Sequence, residues 1–119
     1  MPAWLLIEIA WELVSDARTV CSNIMFLYEE AMQICNFAIY LALNNKDYLA
    51  VRKIVSYLNE ILLPEAEEFA MLWGYIAYPV NITFEAFYQA ERKFVDTMLL
   101  ILKSTEGEAE ETTQSRKSG

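Results

Sequence analysis

Histidine is absent from this sequence. That removes the most versatile acid–base group near neutral pH and the commonest metal ligand. It excludes Ser-His and Cys-His nucleophile pairs, and the Glu-x-x-His signature of helical di-iron bundles. Cysteine is scarce too, with only Cys21 and Cys35, and two cysteines at that spacing cannot build a Cys/His zinc cluster. On one helix they lie about 21 Å apart, whereas a disulfide needs Cα atoms within about 7 Å, so free, buried thiols are expected. Glycine (Gly74, Gly107, Gly119) and proline (Pro2, Pro64, Pro79) are few. No glycine-rich phosphate loop is present, and the punctuation of a turn-rich β fold is missing. Positive charge is thin, with 9 Lys and Arg against 17 Asp and Glu, for a net charge of −8. This argues against a protein that grips phosphate backbones. The adjacent basic pairs Arg52-Lys53 and Arg92-Lys93 read as solvated helix faces.

A long apolar run is also lacking. Ile24 to Leu43 comes nearest, but Glu29, Glu30, Gln33 and Asn36 interrupt it. A spanning helix wants about 20 predominantly apolar residues, and each central charge costs about 2.5–3.5 kcal/mol. Ala3 to Val14 makes no secretion signal, because Glu8 and Glu12 break it and no positive charge precedes it. The expectation is a cytoplasmic protein without a membrane segment.

What is present is helical periodicity. The 119 residues allow one domain, and every apolar residue except Ala109 precedes Ser104. The reading is all-α: a small helical bundle of four to five helices over residues 1–104, with a flexible charged tail over residues 105–119 that has too little apolar surface to repay its ordering entropy. Polar residues at Glu8, Glu12, Ser15/Asp16, Thr19, Ser22/Asn23, Glu29/Glu30, Gln33 and Asn36 recur every three to four positions. Their unbroken phase across Ser15-Asp16 favours one long helix from about residue 3 to 43 over two coaxial pieces. Asn44-Asn45-Lys46-Asp47 ends it, with an Asn suited to the left-handed conformation and Asp47 as cap of the next helix. Tyr48, Val51, Val55, Leu58 and Leu62 then form a packing seam. Pro64 starts a new helix or a kinked continuation to about Tyr78, with Glu65, Glu67 and Glu68 in its first turns. Pro79 ends that, residues 80–83 connect, and Asn81 or Thr83 caps a last helix to about Lys103. Its apolar side carries Phe84, Phe87, Tyr88, Phe94, Val95, Met98 and Leu102. Asn81-Ile82-Thr83 matches a glycosylation sequon by chance.

Carboxylates are the remaining chemistry. Glu8 and Glu12 share a helix face, as do Glu65 and Glu68; Glu29-Glu30, Glu91 and Asp96 lie elsewhere. Helical pyrophosphohydrolases of the MazG type hold Mg²⁺ through Glu-Glu-x-x-Glu followed by Glu-x-x-Asp. The nearest stretches here, Glu65-Ala66-Glu67-Glu68 and Glu91 to Asp96, have the wrong spacing and read as solvated faces or helix-dipole partners. Length and helix pattern resemble the HEPN group, small dimerising bundles that include RNA-cleaving toxins. That resemblance implies an all-α dimer associated with RNA. The Arg-x(4–6)-His motif of the RNase members cannot occur in a histidine-free chain, so it reaches only to a non-catalytic relative.

No catalytic, cofactor-binding or metal residue is therefore assigned. Trp4, Trp11, Phe26, Tyr28, Phe37 and Tyr40 crowd the first helical region, which holds more apolar surface than the other helices are able to cover. Trp4, Trp11, Phe26, Phe37 and Tyr40 are the candidate interface residues of a homodimer or of a contact with a protein partner. The expected role is non-enzymatic: protein–protein interaction, scaffold or accessory subunit. The alternatives are a HEPN-like RNA-associated protein and a carboxylate Mg-dependent nucleotide hydrolase.

Overall fold

The computed structural model describes the backbone of residues 2–118 and the side chains of residues 2–105. Among the described residues there is no strand. The helices are α1 (Ala3–Asn44), α2 (Tyr48–Tyr57), α3 (Leu63–Trp73) and α4 (Val80–Ser118). A π-helical turn, Leu58–Leu62, carries α2 into α3 without a break, so the described chain forms three rods rather than four or five. Pro64 is the reason. Proline lacks an N–H, and inside an α-helix its ring clashes with the carbonyl four residues back. In the π turn the Leu63 N–H reaches the Leu58 carbonyl instead, and the wider turn accommodates the proline while the helix continues. The inserted residue is visible in the packing. Adjacent Leu62 and Leu63 are both buried, and the seam Val51, Val55, Leu58, Leu62 hands over to Leu63 and Ala66. Tyr48, assigned to that seam by spacing, is exposed at the start of α2.

α1 is a single helix of 42 residues, about 63 Å long at 1.5 Å per residue. It ends in a Schellman motif: the Asp47 N–H donates to the Ala42 carbonyl at 2.8 Å and the Lys46 N–H to the Leu43 carbonyl at 3.1 Å. The left-handed residue is Lys46, at φ 55°, not an asparagine; Asn45 sits one position early at φ −90°. Asp47 caps α2 by accepting from the Ala50 N–H at 3.2 Å. The second connection also differs from expectation, since residues 74–79 form the turn and α4 begins at Val80. α3 stops at Gly74, where a Cβ would lie 2.6 Å from the Ala70 carbonyl oxygen and 3.0 Å from Asn81 Nδ2. Only glycine allows that approach. The Asn81 N–H in turn donates to the Ala77 carbonyl at 3.1 Å, which ties the turn to the first turn of α4.

α4 runs alongside α1 in the same direction. Tyr28 meets Phe84 at a ring-centroid distance of 6.4 Å, and further along Asn36 meets Glu91. The α2–α3 rod runs the opposite way between them. Met25, Met32 and Ile39 from α1 pack with Val51, Val55 and Leu58 from α2 and the π turn, and with Phe84, Val95 and Met98 from α4. Phe94, placed on the apolar side of α4 by spacing, lies at its margin and is exposed. The flexible tail expected from residue 105 falls, apart from Thr105, outside the residues whose side chains are described. The molecule is a rod of 87 × 22 × 19 Å. Among the described residues no helix is long and apolar enough to cross a membrane.

Candidate interaction surface

The rods do not cover α1 along its length. Its heptad seam reads Trp4, Ile7, Trp11, Val14, Arg18, Cys21, Met25, Tyr28, Met32, Cys35, Ile39 and Ala42, in alternating steps of three and four. From Cys21 to Ala42 this seam is buried or half-buried in the bundle. Before Cys21 no described side chain is buried. The boundary is the turn between α3 and α4, where the Arg18 guanidinium Nε donates to the Ile76 carbonyl at 3.0 Å. Residues 3–17 therefore project past the bundle as an arm about 22 Å long. Trp4 is 62% exposed, Ile7 57% and Trp11 65%. Off the seam, Leu6, Ile9 and Leu13 are exposed as well.

Phe26, Phe37 and Tyr40 are exposed too, but on the outer face of the bundle. They share the stripe of Glu30 and Gln33, away from the buried seam, and Glu30, Gln33, Ile34 and Phe37 line a shallow depression there. The structure thus divides the five candidate interface residues into an arm pair and an outer-face trio. Their nearest members, Trp11 and Phe26, lie about 22 Å apart along the axis.

Inside the bundle lies a polar pair. Glu91 follows Phe84 and Tyr88 and precedes Val95 and Met98 on the buried seam of α4, and is 4% exposed. It is not the solvated acid expected from charge pattern. Asn36 Nδ2 donates to Glu91 Oε1 at 2.7 Å, while Glu91 Oε2 and Asn36 Oδ1 are buried with no hydrogen-bond partner. Burial pushes the Glu91 carboxyl above the usual carboxylate range, and the Asn36 bond opposes that rise. Burial and the Glu91 charge push the neighbouring Cys35 thiol up. Both cysteines are free.

The other acids serve the fold or face solvent. Glu67 accepts from the Tyr88 hydroxyl at 2.9 Å. Burial, then this bond, raises the Tyr88 phenol. Asp96 accepts from Arg92 at 2.7 Å, and Asn59 accepts from the same guanidinium at 2.5 Å, clamping α4 to the π turn. Glu65 and Glu68 are exposed beside Tyr28, whose phenol is raised by burial and then by their charges. Among the described residues no three acids or cysteines gather where a metal ion fits.

Spacing alone missed two features. The first is Glu91, whose seam position was readable from the steps Phe84, Tyr88, Glu91, Val95, Met98. The second is the aromatic turn, where Tyr75 is 93% exposed and Tyr78 61%; no sequence signal marks it, because its place beside Arg18 exists only in the folded chain. Comparison of the chain with known protein families, curated proteins and solved structures gives no match to any of them.

Proposed function

We propose that the protein works by protein–protein contact, without catalysis, as a homodimer or as an accessory subunit of a larger complex, and that α1 supplies the contact surface. The observation that carries this reading is the arm: its seam continues the phase of the packed helix, yet Trp4, Ile7 and Trp11 stand in solvent. Exposed apolar patches beyond a few hundred Å² are rare on monomers and mark interaction sites. Trp is favoured as an interface anchor. The acidic balance, −8 overall, suits a protein partner better than nucleic acid, and a cytoplasmic setting accords with the free thiols.

Sedimentation equilibrium beside thermal melting, on the wild-type chain and on Trp11→Ala, tests the reading. Because Trp11 is 65% exposed on the arm, the substitution should weaken association by about 2 kcal/mol or more while leaving protomer stability within about 0.5 kcal/mol. A wild-type chain that stays monomeric at high micromolar concentration and shows no partner-dependent change in mass refutes it. So does a loss of protomer stability of about 3–5 kcal/mol, the cost of emptying a core site.

A further inference from the structure

We infer that the arm of α1 is covered by the same arm of a second copy, laid antiparallel, with the first helical turn of each arm seated on the α3–α4 turn of the other. This deepens the reading of α1 as an association surface and rests on it.

Direction follows from the fold. On the C-terminal side of Arg18 the seam face of α1 is filled by the copy's own rods, which end in the turn that Arg18 holds at Ile76. Two arms packed parallel, seam to seam, would drive each bundle into the other. Antiparallel arms send the two bundles to opposite ends, and nothing overlaps.

Register follows from the seam. When residues whose numbers total 18 stand at the same level, Trp4 faces Val14 of the other copy and Ile7 faces Trp11. Every large indole then meets a β-branched aliphatic, the large-against-small packing that fills an interface. One flank of the contact carries Ala3, Ala10 and Ala17. Ala10 meets Ala10 beside the two-fold axis, and Ala3 meets Ala17, so the backbones approach closely. The other flank sets Glu8 beside Glu8.

Area decides whether the arm alone is enough. The exposed parts of Trp4, Ile7, Trp11 and Val14 amount to roughly 500 Å², short of the about 800 Å² per partner of a stable interface. The remainder lies where the other copy's helix begins. Helix α1 starts after Pro2, whose backbone is extended at φ −66° and ψ 145°. In this register Pro2 stands level with Asp16, about 3 Å short of Arg18 along the axis, and the helix start abuts Met71, Tyr75 and Tyr78 of the other chain. Those residues are 75%, 93% and 61% exposed, and they border a depression with Arg18 and Gly74. Their area brings the total close to the standard size.

Cysteine cross-linking tests direction and register together, in a full-length chain carrying Cys21→Ala and Cys35→Ala, with sedimentation and melting run on the same samples. Ala10→Cys alone should oxidise to a covalent dimer. Ala3→Cys alone should not, because the two sites lie about 18 Å apart along the axis. Ala3→Cys mixed with Ala17→Cys should cross-link as the heterodimer. Glu8→Gln, which removes the like-charge pair, should tighten the dimer by roughly 2-fold at low salt. A dimer in which Ala3→Cys links to itself as readily as Ala10→Cys is parallel, and one in which neither site links associates through another surface. Either result overturns this arrangement; the parallel dimer leaves α1 as the contact surface, and for the unlinked dimer the sedimentation of Trp11→Ala decides whether α1 takes part. A monomer at high micromolar concentration overturns the arrangement and homodimerisation together.

Discussion

Replacing Glu91 by Gln tests what the buried polar pair of the bundle is made of. Asn36 Nδ2 already donates to Glu91 Oε1 at 2.7 Å; Glu91 Oε2 and Asn36 Oδ1 are acceptors with no donor. A proton on Oε2 joins them and closes a ring of two hydrogen bonds between acid and amide. The raised carboxyl pKa, driven by burial, points the same way. A group whose native pKa exceeds its unfolded value holds its proton where the unfolded chain has released it. Its contribution to stability is complete below the ordinary carboxyl pKa and is lost as pH rises through the elevated native value. Glutamine offers an N–H where glutamate needs that proton, at nearly the same volume, and keeps it at every pH. Each buried, unsatisfied polar group costs about 1–3 kcal/mol. Glu91→Gln should therefore raise stability by about 1–3 kcal/mol near pH 8, or roughly 4–12 °C in melting temperature for a chain of this size. The advantage should shrink towards zero near pH 4, where the acid closes the same ring. Thermal melting of both chains across this range, followed by circular dichroism, reads the difference directly, because the other acids cancel between them. The Cys35 thiol supplies an independent signal. The Glu91 charge contributes to its raised pKa, so the thiol should react faster with alkylating reagents at pH 8 in the variant. A variant less stable at pH 8, or a difference that is the same at both pH values, refutes the shared-proton reading.

Three further outcomes follow from the packing and the turns. Met32 is fully buried at the centre of α1, so Met32→Ala should lower stability by about 2–5 kcal/mol in chemical denaturation. Lys46 holds φ 55°, a conformation that costs an L residue about 1 kcal/mol and glycine nothing, so Lys46→Gly should raise the urea midpoint accordingly. Gly74→Ala should destabilise the α3–α4 turn, because its Cβ would come within 2.6 Å of the Ala70 carbonyl oxygen. In hydrogen exchange, faster loss of protection at residues 74–82 than in the core of α1 would register that change.

Much was legible in the chain before folding. The phase of the polar stripe carried α1 across Ser15-Asp16 as one helix, because helical spacing is a local property that neighbours enforce turn by turn. Asp47 was readable as a cap for the same reason. Absences were equally informative: without histidine and glycine-rich loops, whole classes of chemistry have no residues to work with. Excess apolar surface in the first region was visible from composition, and its division between the arm and the outer face was not.

What only the tertiary structure decided are matters of register between distant segments. Pro64 looks like a helix boundary in sequence, since the clash of its ring with a carbonyl is local; the π turn that absorbs it places Leu62 and Leu63 together against the core. Glu91 falls on the apolar seam of its own helix by spacing, but its partner, Asn36, stands 55 residues away in the chain and is set opposite it only by the packing of α1 against α4. The end of the covered seam at Arg18 depends on where the α3–α4 turn falls against α1. That position is set by the lengths of three rods packed side by side, and no short stretch of sequence contains it.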